Sequence, residues 1–283
     1  MPVLMPEPQG TLLGRSTVYG DRYEASLKNR TVTGAYFAGA SATSILVTVD
    51  SGSEVSTVSC CTEGIGEQTA VAELFVPAGT HSIVESKSLK LYAGSFAMTT
   101  VDSIEALEAQ MTSDIGERIG EGVRVRITPA SGWAGAVTAL PGVLLEELPE
   151  AQSHEFKAPE ADPGVLCEAA GAAPSEEERL YSTRVFRSLC PVTGQPDYAA
   201  LTIRIRGAAP DPVALLDYLV SYRRHRGFHE QCVEQIYHDL RTVFSPALLE
   251  VYAAFTRRGG IDINPFRSSC RDMPENVMRE VRQ

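Results

Sequence analysis

The segment SLCPVTGQPDY, residues 188–198, places a thiol and a carboxyl at a spacing that suits covalent chemistry. Cys190 follows a strand-like apolar run and precedes a turn containing proline and glycine, which predicts a constrained loop. Asp197 comes seven residues later, immediately before a predicted strand over 198–206. If the loop folds back, the carboxyl lies over the thiol, where it can move protons for a nucleophilic thiolate. A buried structural cysteine followed by a turn-capping aspartate fits the same spacing, and the spacing alone favours it.

A second chemical pattern lies in IVESKSLKLY, residues 83–92. Glu85 and Ser86 stand where a helix begins, and Lys87 and Lys90 lie on its predicted surface. Backbone amides and lysines at a helix start can bind phosphate. A serine in this position is more often a helix cap, and lysines at this spacing are usually solvated. The cap is therefore the simpler interpretation.

Two further segments combine basic residues with groups suited to ring or phosphate binding. In RRHRGFHE, residues 223–230, His229 and Glu230 open a predicted helix and can hydrogen-bond a planar ring that stacks on Phe228. The alternative is a helix capped by Glu230 beside a partly buried histidine. In TRRGGIDINPFRS, residues 256–268, paired arginines precede two glycines, which suits close approach to phosphate or an exposed turn.

Missing motifs and the overall charge exclude several common chemistries. The GxG at Gly64 and Gly66 lacks the third glycine of a dinucleotide fingerprint, and no GxxxxGK[ST] occurs. The six cysteines form no CxxC pair, and His229-x-x-Cys232 lacks a second ligand pair, so we predict no metal site. A net charge of −11 argues against a broad nucleic-acid or anionic-membrane surface. No apolar run approaches the roughly 18 residues of a membrane span, and no signal pattern is present, which predicts a soluble cytoplasmic protein.

The elements that would position these residues follow a strand-then-helix pattern in both halves. Alternating or β-branched runs predict strands over 45–49, 71–76, 123–127 and 201–206. Helical spacing predicts helices over 102–111, 213–223 and 229–243. Residues 87–96 and 213–222 match at an offset of 126 residues, with Tyr92 opposite Tyr218. This weak repeat predicts two related α+β modules. The segment 148–180 is rich in Pro, Ala and Glu, which predicts a solvated linker between them.

Four segments together resemble the QueF family, the NADPH-dependent 7-cyano-7-deazaguanine reductases of queuosine biosynthesis, a tRNA modification pathway. They are ESKSLKLY (85–92), CPVTGQPD (190–197), FHEQC (228–232) and RRGGIDINPFR (257–267). The resemblance implies the long form of the family, with two tunnelling-fold (T-fold) modules whose antiparallel sheets carry helices on one face. It implies an N-terminal module in 1–150, a linker in 151–180 and a C-terminal module in 181–283. It also implies a homodimer and an active site between modules.

The resemblance further implies a role for each matching residue. Cys190 attacks the nitrile carbon of the deazapurine to form a covalent thioimide, and Asp197 protonates the nitrogen. Two hydrides from two NADPH molecules then give the primary amine, 7-aminomethyl-7-deazaguanine, without a metal. The residues that match the family's substrate-binding positions are Val84, Glu85, Ser86, Phe228, His229 and Glu230. The residues that match the family's NADPH-binding positions are Ser86, Lys87, Arg258 and Gly259.

Two other functions remain open on the same residues. A cysteine hydrolase acting on a nitrile or amidine would use Cys190, Asp197 and His229, release ammonia and ignore NADPH. A catalytically idle purine-binding module would keep only the contacts to the ring. A zinc enzyme of the cyclohydrolase type, with the same fold, would need a Cys/His ligand set that the sequence does not supply. Consumption of NADPH separates the reductase from the hydrolase and the binding module.

Overall fold

The computed structural model describes residues 31–33, 44–49, 58–62, 66–80, 82–96, 99–132, 137–156, 160–168, 174–271, 274 and 278–283. Its strands, in chain order, are β1 (Thr31–Thr33), β2 (Ser44–Val49), β3 (Val58–Thr62), β4 (Gly66–Pro77), β5 (Ser82–Val84), β6 (Thr100–Val101), β7 (Arg124–Pro129), β8 (Val143–Leu144), β9 (Ser175–Leu189), β10 (Pro196–Gly207), β11 (Leu248–Phe255) and β12 (Ile261–Ser268). Its α-helices are α1 (Ser86–Gly94), α2 (Ile104–Ile119), α3 (Pro149–Gln152), α4 (Gly164–Glu168), α5 (Pro212–Ser221) and α6 (His229–Phe244). Short 3-10 helices lie at Ala130–Gly132, Leu145–Glu147 and Tyr222–Arg224. Across these described ranges, none of the helices is both long and apolar enough to cross a membrane.

The predicted strands and helices are confirmed in position, with shifted ends. The four predicted strands fall on β2, β4, β7 and β10, and the predicted helices on α2, α5 and α6. Helix α2 begins at Ile104 because Ser103 caps it, accepting a hydrogen bond from the Ala106 amide. It continues past residue 111 because Ile115 and Ile119 extend the buried stripe.

The chain divides into two compact units. The first contains the described residues of Met1–Ala38, Ile45–Gly135 and Arg257–Asp262. The second contains those of Gly39–Ser44, Ala136–Thr256 and Ile263–Gln283. Each unit combines helices with antiparallel strands, which confirms the predicted α+β class.

The first unit is arranged around the long strand β4. This strand pairs antiparallel with both β3 and β7, and β1 pairs antiparallel with β5. The pairing of β3 with β6 is parallel, which the prediction of antiparallel sheets did not include. Helix α2 lies along β7 and supplies acceptors for its edge, since Thr112 and Glu108 accept hydrogen bonds from the Val125 and Ile127 amides. This use of side chains satisfies backbone groups that no neighbouring strand reaches.

The second unit is an antiparallel sheet covered on one face by helices. Strands β9 to β12 pair in chain order, and β8 adds to β9 in parallel, a second exception to the predicted pattern. Alternate residues of the strands meet α5 and α6 in one apolar core, because successive side chains point to opposite faces of a sheet. Its fully buried members include Phe186, Leu201, Ile203, Leu215 and Ile236.

Part of the predicted linker is secondary structure of the second unit. Helix α4 lies within 151–180, and its Leu166 is completely buried in the core that α5 and α6 form. Strand β9 begins at Ser175, inside the same range. A single buried leucine among alanine, proline and glutamate produces no periodic pattern, so the sequence alone did not distinguish this helix from a linker.

A buried tyrosine–aspartate network joins the two helices of the first unit. The Tyr92 hydroxyl of α1 donates to Asp114 Oδ2 of α2 at 2.7 Å. Gln110 Nε2 donates to the other carboxylate oxygen at 2.9 Å. Ser95 Oγ donates to the Tyr92 carbonyl at 2.6 Å, which ends the helix. These bonds satisfy a carboxylate that burial would otherwise make unfavourable.

The same network recurs in the second unit, roughly 126 residues further along the chain. Tyr218 donates to Asp239 Oδ2 at 2.6 Å, Gln235 donates to Asp239 Oδ1 at 2.7 Å, and Ser221 donates to the Tyr218 carbonyl at 2.5 Å. Burial raises the pKa of Asp239. An identical set of four residue types in identical roles is what the predicted internal repeat requires.

Removing one tyrosine hydroxyl from either network should destabilise the fold. In Tyr218→Phe and Tyr92→Phe the buried aspartate loses a donor, and we expect each variant to lose about 1–3 kcal/mol of unfolding free energy. Urea unfolding followed by circular dichroism measures the loss. Tyr198→Phe is the matched control, because that side chain is 44% exposed and should change stability little. Equal midpoints for Tyr218→Phe and Tyr198→Phe would contradict the assigned role of the network.

Candidate active site

Cys190 lies at the tip of the hairpin that β9 and β10 form. Its amide donates to the Gln195 carbonyl at 2.8 Å, and its carbonyl accepts from the Gly194 amide at 2.9 Å. Gly194 has φ of 68°, a conformation that glycine adopts without strain. The thiol-bearing residue is 6% exposed. The turn therefore holds Cys190 in one backbone position, as the sequence predicted.

Asp197 projects from the strand that returns after this turn. It lies inside β10 and opposite Ser188, whereas the sequence predicted a position just before the strand. The backbone pairing that joins Cys190 to Gln195 continues the ladder and extends β10 backwards to Pro196. Because cross-strand partners share a face and side chains alternate, Asp197 lies on the face of Ser188 and Cys190. Its side chain is buried.

The segment that leads into α6 is hydrogen-bonded to the residue preceding the cysteine. The Leu189 amide donates to the His225 carbonyl at 2.8 Å, and the Gly227 amide donates to the Leu189 carbonyl at 3.1 Å. A Cβ at Gly227 would lie 2.9 Å from His225 Nε2 and 3.2 Å from Cys232 Sγ, so only glycine fits there. These contacts place the first residues of α6 beside the end of β9.

His229, the first residue of α6, joins the cysteine hairpin to the neighbouring strand. Its Nε2 lies 3.3 Å from Asp197 Oδ1. Its ring stacks on Phe255, the last residue of β11, with centroids 3.9 Å apart and planes inclined by 5°. Phe228 precedes it, with an amide that donates to Gln231 Oε1 at 3.0 Å. The stack and the contact with Asp197 together fix the plane of the imidazole.

Burial raises the pKa of two groups that follow His229 in the chain. Glu230 is 5% exposed, and burial raises the pKa of its carboxyl, while His229 and Arg267 act in the opposite direction. Burial also raises the pKa of Cys232 to about 12. Cys232 is therefore a neutral thiol at physiological pH, unsuited to act as the nucleophile.

The remaining predicted substrate-binding residues belong to the first unit. Val84 ends β5, and Glu85 stands at the N-cap position of α1 with its side chain buried. The Glu85 carboxylate makes no capping bond to the helix and instead accepts from Ser88 Oγ at 2.6 Å. At the matching position of the second unit, Asp211 caps α5 by accepting from two amides of its first turn. The two units thus use one helix position differently.

The predicted NADPH-binding residues all belong to the first unit. The amide and carbonyl of Arg258 bond to the carbonyl and amide of Ile261 at 2.9 and 3.2 Å, closing a tight turn. Gly259 and Gly260 both have positive φ, which this turn requires. A Cβ at Gly259 would lie 3.0 Å from Lys90 Nζ, so the turn approaches helix α1 closely. Ser86 and Lys87 form the half-buried first turn of that helix.

Two residues of these sites were missed by the sequence analysis. Phe255 ends a strand that is buried throughout. Nothing in the sequence pattern of that strand indicates that Phe255 stacks on His229. Lys90 was predicted to be solvated but is half-buried beside Gly259. The pair Gly259 and Gly260 was the available signal, because adjacent glycines allow the backbone to approach a neighbouring side chain closely. The sequence did not show that this side chain is Lys90.

No cluster of three or more metal-ligating side chains occurs in the part of the chain that the structure describes. The sequence analysis considered His229 and Cys232 as a pair of metal ligands. In the structure His229 contacts Asp197, and Cys232 lies beside Gly227.

Two family models match the chain. One, described as "QueF-like protein", matches residues 196–274, and the other, "Nitrile reductase, 7-cyano-7-deazaguanine-reductase N-term", matches residues 54–127. The chain is 39% identical, over 282 residues, to the NADPH-dependent 7-cyano-7-deazaguanine reductase of Burkholderia pseudomallei strain 1106a. That alignment covers 98% of this chain and 99% of the relative. The chain belongs to the QueF family.

Further relatives of this QueF-family chain have the same description. The NADPH-dependent 7-cyano-7-deazaguanine reductases of Burkholderia mallei strain SAVP1 and Burkholderia thailandensis are each 39% identical over 282 residues, with 98% and 99% of the two chains covered. Among solved structures, the archaeosine synthase QueF-Like in the apo form aligns at 20% identity with a TM-score of 0.32. That alignment covers 36% of this chain and 100% of the other.

The buried thiol of Cys232 should resist alkylation in the folded protein. Only the thiolate reacts, and a pKa of about 12 leaves almost none at about pH 8. We expect iodoacetamide to modify the exposed Cys167 rapidly and to modify Cys232 only after denaturation, as measured by peptide mass spectrometry. Labelling of native Cys232 at the rate of Cys167 would contradict the burial described above.

Proposed function

We propose that this chain catalyses the NADPH-dependent reduction of the nitrile of 7-cyano-7-deazaguanine to the primary amine 7-aminomethyl-7-deazaguanine. The observation that supports it most directly is the grouping of Cys190, Asp197 and His229 in one buried corner of the second unit. Near-full-length similarity to reductases of this substrate supports the same assignment. The product is a precursor in queuosine biosynthesis, and a cytoplasmic location is part of the proposal.

Cys190 is the nucleophile in this proposal. A nitrile is a poor hydride acceptor, and addition of a thiol converts it to a more reactive C=N group. The sulfur–carbon bond forms at the nitrile carbon as the thiol proton leaves sulfur and a proton reaches nitrogen, which gives a thioimide. After the first reduction the carbon–sulfur bond breaks and releases an imine and the thiol. Reduction of the imine yields the amine, a four-electron change in total.

In this scheme Asp197 transfers the proton, and His229 positions Asp197. Asp197 shares a sheet face with Cys190, so its carboxyl is placed to protonate the nitrile nitrogen. The imidazole, fixed by Phe255, stays within 3.3 Å of Asp197 and orients that carboxyl toward the site. These contacts support proton transfer by Asp197 and its positioning by His229 and Phe255.

Recognition of the deazapurine ring is assigned to residues at the starts of two helices, α1 and α6. Buried carboxylates suit the ring's adjacent N–H donors, because an ionised carboxylate accepts two hydrogen bonds. An aromatic side chain supplies a face for stacking. The residues in these roles are Val84, Glu85, Ser86, Phe228, His229 and Glu230.

The residues around the glycine turn of the first unit fit NADPH. Lys87, Lys90 and Arg258 supply positive charge, and Gly259 lets the turn approach the Lys90 side chain closely. The first turn of α1, with Ser86, supplies backbone donors for a phosphate. Arginine beside the turn favours a phosphorylated ribose, as in NADPH, over an unmodified one. When bound, NADPH supplies the hydride that the substrate carbon accepts.

The repeated tyrosine–aspartate networks support a tandem arrangement of two T-fold modules in the chain. In this proposal, two copies of the chain assemble as a homodimer. A net charge of −11 accords with a small-molecule substrate and no direct contact with nucleic acid.

The stoichiometry of the reaction tests the function. Purified protein, 7-cyano-7-deazaguanine and NADPH should give two NADPH oxidised per amine formed, by absorbance and mass spectrometry. Ammonia released without loss of NADPH would establish a cysteine hydrolase instead. Tight binding with neither product would establish a binding module.

Replacing the proposed nucleophile should abolish covalent chemistry. Cys190→Ala should lose turnover by several orders of magnitude and should show no mass increase when incubated with the nitrile alone. Cys232→Ala is the matched control, because its buried neutral thiol takes no part in the scheme, and it should still form the adduct. Parent-like turnover by Cys190→Ala would exclude the thioimide.

A further inference from the structure

A buried ion pair lies beneath the first turns of α6. Arg267 of β12 points toward the helices, because its strand partner Val251 belongs to the helix-facing core. Its Nη2 lies 3.2 Å from Glu234 Oε1, and its Nη1 donates to the Phe266 carbonyl at 3.2 Å. Both charged side chains are 5% exposed. The pair therefore has almost no contact with solvent.

Stability alone does not account for such a pair. Removing two charges from water carries a desolvation penalty that their attraction often fails to offset, and apolar replacements of similar volume are frequently neutral or stabilising. Met at both positions would remove the two charges and keep a similar volume. A guanidinium in this position points to a role for its charge.

The charge lies close to the carboxylate assigned to ring recognition. Glu234 follows Glu230 by one turn of α6, so the two side chains lie on one helix face. The charged groups that act on Glu230 are His229, Arg267 and Asp197. Asp197 and burial favour the neutral carboxyl, whereas His229 and Arg267 favour the carboxylate. Arg267 is the member of this set whose positive charge does not depend on pH.

We propose that Arg267, held in place by Glu234, is a positioning residue that keeps Glu230 ionised for binding of the deazapurine ring. The inference rests on the proposed role of Glu230. The ring presents adjacent N–H donors on one edge, and an ionised carboxylate accepts from both. A protonated carboxyl would place its own O–H against one of those donors, and the match would be lost. Arg267 thus acts on substrate affinity through Glu230 without touching substrate.

The test uses a variant that removes both charges and keeps the volume. Arg267→Met alone would leave Glu234 buried without its cation and could unfold the chain. In Arg267→Met/Glu234→Met the core stays apolar, and thermal unfolding verifies that the variant folds. Dissociation constants for 7-cyano-7-deazaguanine are measured by calorimetry between about pH 6 and about pH 9, in the Cys190→Ala background so that no covalent bond forms.

We expect the double variant to bind the ring as the parent does at high pH and progressively more weakly as pH falls. One unit of upward shift in the titration of Glu230 corresponds to about a tenfold loss of affinity at the acid end. The assignment uses the difference between the two pH profiles, because the contributions of all other groups are common to both proteins. In the active enzyme the same substitutions should raise KM at low pH and leave kcat nearly unchanged. Parallel pH profiles for parent and folded double variant would overturn the proposal.

Glu230→Gln separates failure of this inference from failure of the proposed function. We expect it to weaken binding at every pH and to remove the added pH dependence when combined with the Arg267 and Glu234 substitutions. If Glu230→Gln leaves affinity unchanged, Glu230 does not bind the ring, and both the ring assignment and the inference are wrong. If Glu230→Gln weakens binding but the charge-free variant keeps the parent profile, the inference alone is wrong.

Discussion

The geometry of the candidate site depends on two backbone hydrogen bonds made by one residue, Leu189. Its amide and carbonyl bond to His225 and Gly227, which ties the end of β9 to the segment that begins α6. Cys190 follows Leu189 directly, and His229 begins α6 two residues beyond Gly227. Because both ends of this connection are fixed, the thiol and the imidazole are placed by main-chain contacts. Side-chain contacts such as the stack on Phe255 then set only the final orientation.

Exclusion of water imposes the second constraint on the same corner. Buried ionisable groups either take a partner or become neutral. Cys232 becomes neutral, whereas Glu230 lies among groups of both signs. Asp197 pairs with His229, and Glu234 pairs with Arg267. The distribution of charge in the second unit is therefore decided largely by which groups find a partner.

Patterns within a few residues of sequence predicted the helices, strands and turns of this fold better than they predicted the contacts between distant side chains. The start of α1 after Glu85, the turn at Cys190 and the start of α6 at His229 all depend on turn and cap chemistry within a few residues. The stack of His229 on Phe255 and the pairing of Glu234 with Arg267 join residues from different elements, and no spacing rule connects them. Helix α4 was not predicted because, among its described side chains, Leu166 is the one that is fully buried and Val165 is only partly buried beside it.

The different use of one helix cap in the two units has an energetic meaning. Asp211 satisfies amides of α5, whereas Glu85 does not do so for α1. A good cap is worth about 1 kcal/mol, so the first unit forgoes that stabilisation at the residue proposed to contact substrate. One position in the repeat therefore serves two purposes. Asp211 contributes to the stability of its helix, whereas Glu85 is assigned to recognition of the ring.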